Sequence, residues 1–241
     1  MKIVSISVIS LCLMTLGVSL SRAYSVLGVP VHCVPLQRDD TNSPYCLAAS
    51  ATAGLNLNEN GLQINFLATQ VWPSARLAAA AVKRYLDPSW VVCELGCGPG
   101  LPSLTAAKQR ATRVIATDLD AFALQLVEKA AEAQKLVNIE TRQFDLTEID
   151  EQLPPADLYL LSDVFESTSV ALGAAHLTMK ALSSGAYVWV FAQTDRAQRE
   201  VYLEELRKIG HTNASWTSMD EYEAGKALWL CDVDEGAVSY G

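Results

Sequence analysis

Glu94, Gly96, Gly98 and Gly100 stand at alternate positions at the end of the stretch VVCELGCGPG, residues 91–100, with Cys93 and Cys97 interleaved. An acid and three glycines behind a short apolar run suit a chain that must turn sharply at a strand end and bring its backbone against a ligand. A thiol centre, a diphosphate loop and a nucleoside pocket without a diphosphate are the chemistries to weigh. The two cysteines are separated by three residues, which is neither a redox pair nor a zinc-knuckle spacing, and no His stands nearby. No metal is expected, and Cys93 on a strand is a small buried hydrophobe. A dinucleotide loop would carry its third glycine where this chain has Leu101. Pro99 and Pro102 also each remove a backbone N–H that a diphosphate would use.

The elements that must hold this loop follow from periodicity. From Leu62 onward, short β-rich runs alternate with helical stretches. Strands are expected over 62–67, 90–95, 113–118, 139–144, 157–164 and 186–192, with a closing pair over 211–219 and 226–233. Helices are expected over 74–86, 103–111, 121–136, 169–182 and 195–209. Five βα-type steps followed by a hairpin predict the α/β class: a Rossmann-like, seven-stranded doubly wound sheet with an antiparallel C-terminal strand, in a three-layer sandwich. In open sheets of this kind a ligand lies outside the carboxyl ends of the strands, beside the first strand of the sheet. The glycine loop falls at that place.

The pattern E-x-G-x-G-x-G at the end of a first strand resembles motif I of the class I S-adenosylmethionine-dependent methyltransferases. That resemblance implies S-adenosyl-L-methionine as cofactor, with Gly96, Cys97, Gly98 and Gly100 against its methionine part and Glu94 reaching its amino group. It also implies Asp118, ending RVIATD, as acceptor for both ribose hydroxyls, and Asp145 in QFDLT as partner of the adenine amino group.

A closer resemblance lies outside the loop. TQVWPSARLAAAAVKRYL before the first strand, and YLLSDVFE on the fourth, are similar to the protein-lysine methyltransferases called methyltransferase family 16. Their pattern implies that Trp72 contacts the cofactor, that Ser162 lies beside it, and that Asp163 faces the acceptor amine with Phe165 as an apolar or cation-π wall. The chain departs from that pattern where Glu166 replaces the expected aromatic, and Phe144-Asp145-Leu146-Thr147 replaces an LDWG-like segment. The function so implied is N-methylation of a protein lysine. A small-amine or metabolite methyltransferase, or a non-catalytic methyltransferase-like interaction module, is the alternative.

Charge limits the partners. A net charge of −9 and a pI near 4.8 give no electrostatic reason to seek nucleic acid or anionic lipid, and the resemblance implies a protein lysine or a small amine as partner. The protein is expected to be a monomer. Residues 1–61 hold three Lys/Arg and three Asp/Glu, with no acid before Asp39. Lys2, the apolar run 3–20 and Ser21-Arg22-Ala23 have the layout of a cleaved signal over residues 1–23, or of a membrane anchor if uncleaved. Residues 24–61, rich in Pro and turn formers, are expected to be a transit peptide or linker, and 62–241 the methyltransferase domain. A signal cut before an aromatic, followed by an acid-poor stretch, resembles bipartite plastid presequences; secretion or the cytosol are the alternative locations.

Overall fold

A computed structural model describes residues 24–26, 29–35, 44–48, 70–218 and 225–230. The expected signal over 1–23 and the strand expected over 62–67 lie outside the described residues. Strands β1 (Tyr24–Val26), β2 (Val29–Pro35) and β3 (Pro44–Ala48) form a small antiparallel sheet in that order. Little strand structure was expected here, because the prolines break the alternation. Val26, Val29, Val31 and Val34 nonetheless supply β propensity, and Pro35 and Pro44 sit at strand ends where a missing N–H is tolerated.

The main unit runs α1 (Pro73–Tyr85), β4 (Val91–Leu95), α2 (Leu101–Lys108), β5 (Arg113–Asp118), α3 (Ala121–Gln134), β6 (Ile139–Gln143), β7 (Leu158–Ser162), α4 (Thr168–Ser183), β8 (Tyr187–Gln193), α5 (Gln198–Lys208), β9 (Thr217–Ser218) and β10 (Gly225–Leu230). Its seven strands are ordered β6-β5-β4-β7-β8-β10-β9. β4 to β8 are parallel, whereas β10 pairs antiparallel with β8 and β9 with β10. The chain enters at β4, steps outward to β6, then returns to β7 on the other side of β4. Strand order therefore reverses at β4, where a crevice opens at the carboxyl ends.

Central strands are apolar on both faces, as a sheet covered on both sides requires. Val92, Leu158, Leu160, Trp189 and Phe191 pack under α1 and α2, and Cys97 and Ala116 pack with α3. The alternate residues Cys93, Leu95, Tyr159, Leu161, Val188 and Val190 pack under α4 and α5. Cys93 and Cys97 thus belong to different clusters, both buried and free. The strand expected from His211 shrinks to Thr217–Ser218, because His211–Ala214 closes a turn in which Ala214 N–H donates to the His211 carbonyl. Likewise α5 begins at Gln198 rather than Asp195, since Arg196 N–H donates to the Gln193 carbonyl in a turn.

Gly173 sets how closely α4 approaches the loop after β6. A Cβ there would lie 2.0 Å from the Leu146 carbonyl oxygen, so the backbone itself would have to move. Gly173→Ala is expected to cost about 1–3 kcal/mol of stability and to lower the melting temperature by roughly 2–12 °C. Melting followed by circular dichroism tests this; an unchanged midpoint would mean that helix and loop are not in tight contact.

Candidate functional site

The glycine loop is shaped by its turns. Gly96 has φ of 69° and Gly100 has φ of 73°, the left-handed region that favours glycine. A Cβ at Gly96 would stand 2.6 Å from Val164 Cγ1, and one at Gly100 2.5 Å from Val127 Cγ2. Three of the loop's backbone donors are already engaged. Cys97 N–H donates to the Thr117 carbonyl at 2.8 Å, Gly98 N–H to Asp118 Oδ2 at 2.8 Å and Gly100 N–H to the Cys97 carbonyl at 2.9 Å. Pro99 has no N–H. A diphosphate would find few donors here, in agreement with the glycine spacing.

Beneath the loop lies Glu94, 0% exposed. Its Oε2 accepts from Ser103 N–H at 2.9 Å and from Ser103 Oγ at 2.5 Å, and its Oε1 accepts from Ser162 Oγ at 3.3 Å. Burial raises its pKa to about 8 despite the opposing bonds from Ser103 and Ser162. Glu94, expected to reach a ligand amino group directly or through water, ties the end of β4 to the start of α2 and to β7.

The cleft itself is lined by Trp72, the glycine loop, Asp118, Leu119, Asp145, Leu146 and Ser162, with Asp163, Glu166 and Arg196 at its other side. Asp118 accepts from Gly98 N–H and, through Oδ1, from Asp120 N–H at 2.8 Å. Desolvation pushes its pKa up against those bonds. Asp145 Oδ1 accepts from Thr147 N–H at 2.8 Å and from Thr147 Oγ1 at 2.7 Å. Leu119 is 58% exposed, a large apolar side chain facing the cleft rather than the core.

Two expectations for the acceptor side are corrected. Asp163, in left-handed backbone with φ of 61°, has a side chain 0% exposed. Its Oδ1 accepts from Arg196 Nε at 3.1 Å, and its Oδ2 from Arg196 Nη2 at 3.1 Å and Gln193 Nε2 at 2.8 Å. A carboxylate held this way is not presented to an acceptor amine. Phe165 is 2% exposed and makes edge-on contacts with Tyr202 and Trp216 at ring-centroid distances of 5.4 and 6.1 Å, so it belongs to the core under α5 and forms no wall of the cleft. Glu166 is the acid left exposed at the mouth. The desolvation of its cleft-facing side raises its pKa, with repulsion from Asp118 and Asp163 adding and Arg196 opposing.

Arg196 was not anticipated from sequence. It lies in the turn after β8, where a helix was expected to have begun at Asp195, and its guanidinium carbon sits 4.7 Å from the centroid of the Trp72 ring. The signal that could have found it is positional: a basic residue just past the carboxyl end of a central strand.

The Glu94 environment carries a pH signature. Folded, Glu94 keeps its proton to about pH 8; unfolded, it releases it near 4.5, so the fold binds the extra proton between those values. Stability from this group is complete below about 4.5 and is lost as pH rises through 8. Glu94→Gln removes that slope, so the melting temperature of the unaltered protein minus that of the variant should fall steadily from about pH 5 to 8. A flat difference would mean that Glu94 is ionised in the fold.

Comparison with known proteins agrees with this geometry. A family described as a methyltransferase domain matches residues 92–185. A curated relative, ribosomal protein L11 methyltransferase of Thermosipho africanus, is 36% identical over 78 residues, 32% of this chain and 30% of the relative, so the matched stretch spans under a third of that relative's length. Among solved structures, a Clostridium thermocellum protein provisionally named an rRNA methylase superposes with a TM-score of 0.54 at 16% identity, over 69% of this chain and 99% of that one. P. horikoshii TYW2 in complex with MeSAdo does so with a TM-score of 0.52 at 17% identity, over 92% and 79%. Residues 92–185 are thus similar to a methyltransferase domain, and the seven-strand fold is shared with these solved structures.

Proposed function

We propose that this protein transfers a methyl group from S-adenosylmethionine to a nitrogen of a protein, with a lysine side chain as acceptor. One observation carries the reading: the carboxyl ends of β4 to β8 gather acceptor carboxylates, exposed apolar surface and one guanidinium around a loop in which the N–H groups of Cys97, Gly98 and Gly100 are engaged. That set fits an adenosyl amino acid and does not fit a dinucleotide. Asp118 has lone pairs beyond those used by Gly98 and Asp120 with which to accept two ribose hydroxyls. Leu119 and Leu146 offer apolar faces to a base, and Asp145 an acceptor for its amino group.

When bound, the cofactor supplies a methyl group on a sulfonium, open to in-line attack. The protein's part is to hold the acceptor in line and keep water out. An attacking amine must be neutral, and Glu166, exposed at the mouth with a raised pKa, is the acid placed to draw in an ammonium and accept its proton. A protein acceptor is supported by the relatives named for methylation of ribosomal protein L11. A lysine acceptor is supported by the resemblance of the Trp72 and Ser162-Asp163 segments to family 16 enzymes. The acid-poor N-terminal region is proposed to be a targeting segment with a plastid address.

Two measurements test the reading. Incubation of the protein with methyl-labelled cofactor and cell extract should place label in a protein band that yields methyl-lysine on hydrolysis; label confined to small molecules would exclude a protein acceptor. Glu166→Gln should raise KM for the amine acceptor by about 10-fold or more, the scale of a lost bond to a charged group, while affinity for S-adenosylhomocysteine is unchanged. Equal loss of both would place Glu166 in the cofactor site instead.

A further inference from the structure

Arg196 supplies the sole cationic side chain among the described residues lining the cleft, and it has donors to spare. A guanidinium carries five N–H groups. Two go to Asp163, one from Nε and one from Nη2, which leaves three. The side chain is 29% exposed, so those three are not sealed in the core. Its position is fixed from two sides: the Trp72 ring lies against one face, and Asp163, itself held by Gln193, takes the fork edge-on. Holding this arginine costs the fold a fully covered carboxylate.

Most of the remaining cleft offers little to an anion. Asp118, Asp145 and Glu166 repel one, the N–H groups of Cys97, Gly98 and Gly100 are engaged, and Pro99 has none. The cofactor nevertheless carries one anionic group, the α-carboxylate of its methionyl end. We propose that Arg196 is the anchor for that carboxylate through the N–H groups that Asp163 leaves free, with Trp72 and Asp163 as the residues that position it. The assignment rests on the cofactor reading but not on any choice of acceptor. It gives Asp163 a role different from the one expected of it: the acid acts through the arginine and touches no substrate. Guanidinium and carboxylate are matched in shape as well as charge, and Arg196 already lines the cleft with its side chain partly exposed.

The test is calorimetric titration with S-adenosylhomocysteine and with its decarboxylated analogue, which lacks only the group in question. The unaltered protein should prefer the carboxylate-bearing ligand, and Arg196→Gln should weaken that ligand by about 10–100-fold while changing the analogue by no more than about twofold, as for loss of one charge-assisted contact. Circular dichroism establishes that the variant is folded. Should the uncompensated Asp163 prevent folding, the double variant Asp163→Asn with Arg196→Gln removes the buried charge and is titrated in the same way. Equal weakening of both ligands, or of neither, overturns the assignment. Failure of the unaltered protein to bind either ligand overturns the cofactor reading together with it.

Discussion

The hydrogen bonds around Glu94 join three elements at the place where strand order reverses. Ser103 comes from the first turn of α2 and Ser162 from the end of β7, and Glu94 itself is the last residue but one of β4. Those are the elements whose ends form the floor of the cleft, so their spacing is set by a buried carboxyl group and two hydroxyls rather than by apolar packing alone. Directional bonds of this kind fix a position more narrowly than hydrophobic contact, at the cost of desolvating an acid. The raised pKa is the trace of that cost: the group is retained largely in its neutral form, which avoids burying a full charge. The glycine loop above it can then make its turns against fixed neighbours, Val164 on one side and Val127 on the other.

What the sequence made legible follows from the same arrangement. Strands buried on both faces are continuous apolar runs bounded by turns, and the runs at 113–118 and 186–192 matched β5 and β8 within a residue at either end. Glycines that need positive φ have no substitute, so their spacing survives as a readable pattern. Acids at strand ends could be placed at the cleft because topology alone puts them there, as for Asp118. Arg196 and Gln193 were not legible, since nothing in their local sequence distinguishes a residue that closes over a cleft from one on a solvated helix. Asp163 was placed at the right location with the wrong partner, because a spacing motif gives position and is silent on which neighbour takes the carboxylate.

Phe165 and Glu166 show how one residue of offset redistributes roles. Val164 and Phe165 are both buried, Phe165 against Tyr202 of α5 and Trp216, so the aromatic serves to dock α5 and the segment leading to β9. The next position is then turned outward to the mouth. An aromatic exposed there would offer an apolar face to an acceptor, whereas an acid offers charge and a proton acceptor. An acid at this position therefore gives the mouth its charge without disturbing the core, since Phe165 meets the packing task one residue earlier.

Charge within the cleft is divided in a way that suits a zwitterionic ligand. Acids lie along the β5 and β6 ends and at the mouth, and the guanidinium lies across from them on the β8 side, near Trp72. A cationic sulfonium and ammonium are favoured by the acids, while a carboxylate is favoured near the guanidinium. The Asp163–Arg196 pair makes that asymmetry durable: left unpaired, a long flexible arginine would swing to any of the nearby carboxylates and cancel the field it is meant to oppose. Tying it to a covered aspartate with two parallel bonds keeps one positive end and one negative side in a space only a few side chains wide, so the orientation of a ligand carrying both charges is set before any apolar contact selects its base.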